Sequence, residues 1–179
     1  MHRFVALLRG INLGRRRVKM DQLRSLFQEL GLANVSTFIA SGNVLFETKT
    51  TKPAQLEAAI EAHLFQSLGY EVDTYLRDSR EVAAAAGRQP FQSRSPGGGI
   101  YLIFLRKPLD PATENKLIAV KTEIDAFAVV GREIYWSCRT RMSDSVVWSL
   151  PEVKALKLPA GTMRNMTTVQ KLAALLNDA

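Results

Sequence analysis

The sequence predicts an α+β protein built from two related halves, of which the first has the ferredoxin-like (split βαβ) arrangement. Residues 1–78 follow the order strand, helix, strand, strand, helix, strand, read from apolar spacing that switches between periods of two and 3.6. Strand, helix, strand and strand then recur in residues 100–179, which we expect to be a degenerate second half ending in C-terminal helices. A connector helix and glycine-rich loop at residues 79–99 join the halves, and we expect the two to pack as one compact unit.

The elements of the first half are marked by local signals. Residues 4–9 are apolar on both alternating faces, which predicts a central strand. A helix is predicted at residues 20–30, where Met20, Leu23, Leu26, Phe27 and Leu30 recur at helical spacing before Gly31. Strands at 35–40 and 44–47, joined through Ser41-Gly42-Asn43, precede a helix at 53–68 between Pro53 and Gly69, and a fourth strand at 71–76.

The second half repeats this order less completely. A helix at 79–86 and a flexible loop at 93–99 lead to a strand at Tyr101 to Leu105. Asp110-Pro111 begins a helix that runs to about Thr122, and strands at 126–130 and 133–137 form a hairpin around Gly131-Arg132. Helices are predicted around 144–156 and 167–177, with no clear final strand.

Charge and composition bound the function. The 179 residues are 46% hydrophobic, and 24 Lys and Arg exceed 17 Asp and Glu, which gives a net charge of +7 and favours acidic partners such as nucleic acid or phosphorylated metabolites. No apolar run approaches the roughly 18 residues of a membrane helix. The single Cys138 excludes an intramolecular disulfide and a thiolate zinc cluster. We expect a cytoplasmic protein with no metal and no cofactor, and the sequence does not predict its oligomeric state.

The segment after the first strand is the strongest functional candidate. Residues 9–19 carry five cations and no acid, at Arg9, Arg15, Arg16, Arg17 and Lys19. Gly10 and Gly14 allow backbone N–H groups to approach a ligand closely. The pattern predicts an anion site, with the arginine triplet and Lys19 contacting phosphate or nucleic acid. The alternative is that the triplet belongs to a solvated loop.

Topology predicts which other residues join this segment. In the split βαβ arrangement, the first strand ends at the same sheet edge as the turn that leaves the second strand. Asn12, Ser41 and Asn43 would add neutral donors around Gly42, and Arg9 would offer its guanidinium to phosphate or carboxylate. Alternatively, these polar side chains bond their own turns. Near the C-terminus, either Asn165 or Thr167 suits a helix N-cap, and Arg164 is either a ligand contact or a tether to a backbone carbonyl.

Four motifs occur in a fixed order: Leu7-Leu8-Arg9-Gly10-Ile11-Asn12-Leu13-Gly14, Met20-Asp21-Gln22-Leu23-Arg24, Ser41-Gly42-Asn43-Val44-Leu45-Phe46 and Thr162-Met163-Arg164-Asn165. Together they resemble the Domain of Unknown Function 1697 family over nearly the whole chain. The resemblance implies an α/β protein, mainly bacterial, and no particular activity. The ligand-binding candidates that match the family pattern are Arg9, Gly10, Asn12, Gly14, Ser41, Gly42, Asn43, Arg164 and Asn165. Arg15-Arg16-Arg17 departs from it, since the family has glycine and then asparagine or lysine there.

Three functions remain open at this level. Binding of a phosphate-bearing ligand, a nucleotide or a nucleic acid, agrees best with the basic segment. RNA recognition would need exposed aromatics on the central strands, but apolar neighbours on both faces predict that Phe4 and Phe46 are buried under the second half. An enzyme acting on a phosphorylated or carboxylated small molecule has little support, because His2 and His63 are the only histidines and no known catalytic motif appears. A protein-interaction module is the third possibility.

Overall fold

The computed structural model describes residues 1–14, 16–39, 42–91 and 97–177. The chain groups into two compact units: unit 1 comprises Met1–Ala84 with the chain end from Lys171, and unit 2 comprises Ala85–Gln170. The predicted boundaries at residues 78 and 99, and the packing of both halves as one compact unit, stay predictions. No helix within the described ranges is long and apolar enough to cross a membrane.

Unit 1 has the predicted ferredoxin-like arrangement. Its elements are β1 (His2–Arg9), α1 (Met20–Glu29), β2 (Ala33–Thr37), β3 (Asn43–Thr48), α2 (Pro53–Leu68) and β4 (Asp73–Asp78), followed by α3 (Ser79–Gly87), which leads into unit 2. The strand order in the sheet is β2-β3-β1-β4, and every neighbouring pair is antiparallel. The apolar strand β1 is therefore central, as its two-faced pattern predicts.

Unit 2 builds the same sheet. Its elements are β5 (Gly99–Leu105), α4 (Pro111–Ala119), β6 (Asp125–Val130), β7 (Glu133–Cys138), α5 (Pro151–Ala155) and β8 (Gly161–Asn165), and α6 (Met166–Asn177) follows. The strand order is β6-β7-β5-β8, again antiparallel throughout. The order β2-β3-β1-β4 is thus reproduced strand for strand. The mixed α+β fold with a second, imperfect ferredoxin-like half is confirmed.

The expectation that the second half lacks a final strand is wrong. β8 pairs with β5 from Tyr101 opposite Asn165 to Leu105 opposite Gly161. The two buried positions of β8 are occupied by the polar residues Thr162 and Arg164. The segment therefore has no alternation of apolar residues from which a strand could be predicted. Only pairing with a strand far away in sequence makes it part of a sheet.

Several element boundaries also differ from prediction. The helix predicted at 144–156 is two 3-10 turns, Met142–Asp144 and Val147–Ser149, followed by α5. β4 begins two residues later than predicted. α4 ends at Ala119, before a turn in which the hydroxyl of Thr122 bonds the carboxylate of Asp125 at 2.9 Å. β2 ends at Thr37, while residues 40 and 41 and most of the predicted 93–99 loop lie outside the described residues.

Each unit has an aromatic cluster in its own core. In unit 1, Phe4 and Phe46 are 5% and 2% exposed and their rings stack at 6.0 Å, with Phe27 of α1 5.8 Å from Phe46. In unit 2, the rings of Tyr101 and Trp148 lie 5.0 Å and 5.4 Å from Trp136. Burying one such aromatic side chain is worth about 1.5–3 kcal/mol. The predicted burial of Phe4 and Phe46 is confirmed, and both rings belong to the core of unit 1, whereas the sequence predicted that the second half covers them. Neither ring is available to stack on a base.

Candidate functional site

The segment after β1 meets the β2–β3 connection, as topology predicts. The backbone N–H of Leu8 donates to the carbonyl of Gly42 at 2.8 Å. Gly42 has φ +79°, and a Cβ there would lie 2.8 Å from Cγ2 of Ile11 and 3.0 Å from Cβ of Leu8. Only glycine accepts both this conformation and this approach. Gly42 is therefore the residue that lets the two connections touch.

The basic loop, residues 10–19, is anchored at both ends. Ile11 and Val18 are 3% and 6% exposed, so each end is buried. The side-chain carbonyl of Asn12 accepts a hydrogen bond from the N–H of Val18 at 2.8 Å, and the hydroxyl of Tyr70 donates to the carbonyl of Ile11 at 3.0 Å. Each such bond contributes roughly 1 kcal/mol. The side chain of Asn12 therefore bonds the backbone of its own loop, which was the alternative to a role in ligand binding.

The cations between these anchors are exposed. Arg16 stacks its guanidinium on Tyr70, with Cζ 4.3 Å from the ring centroid. Arg17 donates through Nη1 to the carbonyl of Arg16 at 3.0 Å. The side chain of Lys19, at the N-cap position of α1, is exposed as well. Arg15 lies outside the described residues, so the structure locates two members of the arginine triplet.

Arg9 has a carboxylate partner on the neighbouring strand. Its Nη1 lies 2.9 Å from Oδ2 of Asp73, which stands directly opposite in the β1–β4 register. Both side chains are about half exposed, and a pair of this kind is worth less than about 1 kcal/mol. A groove of about 420 Å³ lies beside the pair, lined by Arg9 and Arg16 together with Glu71 and Asp73. The groove is therefore balanced in charge, in contrast to the basic loop.

The β2–β3 connection holds itself together through Asn43. This side chain is fully buried and donates through Nδ2 to the carbonyl of Phe38 at 2.9 Å, while the N–H of Phe38 donates to the carbonyl of Asn43. Ser41 lies outside the described residues. Gly10 and Gly14 have φ of +83° and +58°, so both occupy the left-handed region that glycine favours.

Arg164 and Asn165 belong to unit 2, at the end of β8. Asn165 accepts a hydrogen bond from the N–H of Thr168 at 2.7 Å, so of the two N-cap candidates, Asn165 and Thr167, it is Asn165 that caps α6. Arg164 donates through Nη1 to the hydroxyl of Thr162 and to the carbonyl of Met163, both at 2.8 Å. Burial lowers the pKa of Arg164 to about 10. These contacts include the backbone tether considered for Arg164 in the sequence.

Sequence reasoning missed Tyr70 and Asp73 at this end of unit 1. Tyr70 follows the glycine that ends α2, and only its position in space connects it with Ile11 and Arg16. Asp73 was findable in principle, because pairing the first and fourth predicted strands places an acid near Arg9. Two exposed apolar side chains were missed as well, Leu13 at 65% and Ile39 at 52% exposure.

Residues typical of catalysis have structural surroundings. His63 of α2 lies 2.9 Å from the carboxylate of Glu29 in α1 and links the two helices. Cys138 is buried in the core of unit 2 and donates to the carbonyl of Arg141 at 3.7 Å. Within the ranges that the structure covers, no three His, Cys, Asp or Glu side chains are grouped to hold a metal ion.

Comparison with known proteins finds a solved structure that is similar over the whole fold. The solved structure of the conserved bacterial protein SP0830 from Streptococcus pneumoniae is similar to this chain, with a TM-score of 0.77 and 26% sequence identity. The similarity covers 98% of each chain. A search of curated proteins gives no match. The family model described as DUF1697, protein of unknown function, matches residues 1–135, and the chain belongs to this family.

Proposed function

We propose that the protein binds a phosphate-bearing ligand at the basic loop, and that this ligand is an extended polyanion such as nucleic acid rather than a single nucleotide. One observation carries the proposal: the loop is anchored at Ile11, Asn12 and Val18 while its described cations are exposed. No acid occurs between residues 10 and 19. A polyanion can contact several such cations at once, and each contact adds to affinity by releasing counterions.

The stacking of Arg16 on Tyr70 is compatible with phosphate binding. Stacking uses the flat face of the guanidinium, whereas its N–H donors lie in the plane of the group. The contact therefore orders the side chain and leaves its edge open toward a phosphate oxygen. Because Tyr70 also bonds Ile11, one residue orders both the backbone and a cation of the loop.

Two observations disfavour a pocket for a single nucleotide at this place. The groove beside the loop contains Glu71 and Asp73 as well as Arg9 and Arg16, so its net charge does not favour an isolated phosphate. Phe4 and Phe46 are buried and offer no platform for a base. We therefore expect contacts to the phosphate backbone, with weak sequence preference and strong dependence on salt.

Fluorescence anisotropy with labelled single-stranded and double-stranded oligonucleotides over a series of salt concentrations tests this proposal. We expect a variant carrying Arg16→Ala, Arg17→Ala and Lys19→Ala to bind more weakly. The slope of log K against log salt should decrease by up to about three, about one for each cation that no longer meets a phosphate. The matched control carries Lys107→Ala, Lys116→Ala and Lys154→Ala, which removes the same charge from exposed positions of unit 2. Equal reductions of affinity in both variants would refute a site at the loop.

A protein-interaction module remains the second candidate because of Leu13 and Ile39. Both are more than half exposed and belong to the two connections that meet at Gly42. Exposed apolar side chains mark interaction sites where they form a contiguous patch, and the cations of the basic loop would favour an acidic partner there. A variant carrying Leu13→Ser and Ile39→Ser should keep oligonucleotide binding if the phosphates are bound by the cations. Capture of an acidic protein that both serines abolish would favour the docking function instead.

A further inference from the structure

Unit 2 contains a cavity of about 360 Å³ at the opposite end of its hairpin from the Gly131-Arg132 turn. It lies where β6 begins and β7 ends, and its lining includes Phe91, Lys121, Thr122, Asp125, Ser137 and Arg139. Its volume falls within the range of pockets that hold small ligands, roughly 300–1,000 Å³. All of these residues belong to unit 2, so the cavity is separate from the basic loop of unit 1.

Two small side chains make room for the cavity. Ala126 and Ser137 are direct cross-strand partners on β6 and β7, and both line it. Two residues away along each chain segment, the backbone is tied across the strands, since the N–H of Arg139 donates to the carbonyl of Ile124 at 2.8 Å. The floor is therefore a firm piece of sheet with little side-chain volume above it.

Asp125, the one carboxylate among the described residues of the lining, already has hydrogen-bond donors within the protein. Its Oδ1 accepts hydrogen bonds from Nε1 of Trp136 and from the hydroxyl of Ser145, both at 2.8 Å. Its Oδ2 accepts from the hydroxyl of Thr122 at 2.9 Å. Asp125 is 4% exposed, so its charge is spread over three protein donors rather than offered to a ligand.

Two cations also belong to the cavity lining. Lys121 precedes β6 and Arg139 follows β7, so the two approach the cavity from different segments, and both are exposed. Neither is in an ion pair within the described part of the chain. The hydroxyl of Ser137, also in the lining, adds a neutral donor. Donors therefore outnumber acceptors here, which favours an anionic ligand.

Phe91 supplies an apolar wall. It lines the cavity together with Pro90 and is partly exposed, so its ring is accessible from the cavity. A planar ring can stack on an aromatic side chain while an attached anion reaches cations elsewhere in the lining. We propose that this cavity binds a nucleoside monophosphate, with its phosphate between Lys121 and Arg139 and its base against Phe91.

The tryptophans of the chain offer a local signal for the test. The sequence contains two, Trp136 and Trp148, and both belong to unit 2. Trp136 bonds Asp125 in the cavity lining, whereas a ligand at the basic loop has no tryptophan in its own unit. We expect adenosine 5′-monophosphate to bind the full-length protein in calorimetry and to change its tryptophan fluorescence. Inorganic phosphate and adenosine, each with half of the contacts, should bind more weakly.

Variants then assign the contacts. The double substitution Lys121→Ala and Arg139→Ala should lower the affinity for the monophosphate roughly tenfold or more, since each removes a charge-assisted contact. Phe91→Ala should weaken binding of the monophosphate and leave binding of inorganic phosphate unchanged. The loop variant with Arg16→Ala, Arg17→Ala and Lys19→Ala should bind the monophosphate like the wild type, so this proposal and the proposed function fail independently. Absence of calorimetric binding, or unchanged affinity in the double variant with native circular dichroism, would overturn the proposal.

Discussion

Units 1 and 2 share one strand order but differ in the connection that leaves the first strand. In unit 1 the N–H of Leu8 bonds the carbonyl of Gly42 at 2.8 Å, and in unit 2 the N–H of Leu105 bonds the carbonyl of Arg132 at 2.9 Å. Residues 106–110 then suffice to reach α4, whereas residues 10–19 are used to reach α1. The same strand order is therefore reached with the shorter connection, so the fold alone does not account for the length of the basic loop.

The helix starts differ in the same sense. In unit 2, Asp110 caps α4 by accepting from the N–H of Thr113 at 3.0 Å. In unit 1 the corresponding N-cap residue is Lys19, which forms no side-chain cap. The short connection thus ends in a carboxylate that accepts a hydrogen bond from a free backbone N–H in the first turn of α4. The long connection ends in a cation, which cannot accept such a bond.

The ends of the fourth strands are alike in both units. Arg77 stands opposite Val5 and donates to the carbonyl of the preceding residue at 2.9 Å, and Arg164 does the same opposite Leu102 at 2.8 Å. The next residue caps a helix in each case, Asp78 through the N–H of Glu81 and Asn165 as described above. A feature repeated in both units points to the scaffold, which favours a structural role for Arg164 and Asn165.

The largest expected effect is a difference in stability between glycine substitutions in the β2–β3 and β6–β7 connections. Gly42→Ala should destabilise the protein by about 2–5 kcal/mol, since it adds overpacking against Ile11 to the strain of a positive φ. Gly131→Ala has a positive φ as well, but the nearest atom to its new Cβ is 3.9 Å away. It should cost only about 1–2 kcal/mol. Urea unfolding measures both, and equal destabilisation would show that the packing around Gly42 is not tight.

The next effect concerns the side-chain hydrogen bond that holds the connection between the first strand and the first helix in each unit. Asn12→Ala removes the acceptor of the Val18 N–H, and leaving a partly buried donor unpaired costs about 1–3 kcal/mol. Asp110→Ala in unit 2 exposes its donor to water and should cost less. Hydrogen exchange should show faster exchange throughout residues 10–19 in the first variant alone. Unchanged exchange there would mean that Asn12 does not hold the loop.

A pH effect distinguishes equivalent positions of the two sheets. Tyr135 pairs with Leu102 across β5 and β7, and the equivalent position in unit 1, opposite Val5, is occupied by Leu45. Burial raises the pKa of Tyr135 above its usual 10.0. Because the pKa of Tyr135 is higher in the folded state than in the unfolded state, the free energy of unfolding that this group contributes is fully present below pH 10. This contribution is lost as pH rises through the folded-state pKa. Tyr135→Phe should flatten the alkaline limb of the stability curve. A Tyr135→Phe profile parallel to the wild type would contradict this assignment.

The smallest effect tests the exposed ion pair of unit 1. A double-mutant cycle of Arg9→Ala and Asp73→Ala should give a coupling below about 1 kcal/mol, because both side chains are about half exposed. Asp73→Asn should slightly raise oligonucleotide affinity by releasing Arg9 from its carboxylate. A fall in affinity would indicate that Asp73 positions Arg9 for the ligand rather than competing with it.

Local signals explain why most elements were predictable. α2 matches its predicted bounds at both ends, because Pro53 starts it and Gly69 ends it at φ +77°. β8 was not predictable in this way, because its buried polar side chains carry no apolar period and its partner β5 lies far away in sequence. Helix caps and glycines act within a few residues, whereas strand pairing depends on the whole chain.

The candidate site also has features set by the local sequence and features set by tertiary contacts. The sequence by itself determined the order of elements in unit 1, the concentration of cations in residues 9–19 and the meeting of that segment with Gly42. Only the tertiary structure decided that Arg9 pairs with Asp73, that Asn12 and Asn43 bond backbone within their own connections, and that Tyr70 supports both Ile11 and Arg16. Charge and element order are properties of short stretches of chain. The use of each polar side chain depends on which distant groups folding brings within hydrogen-bond reach.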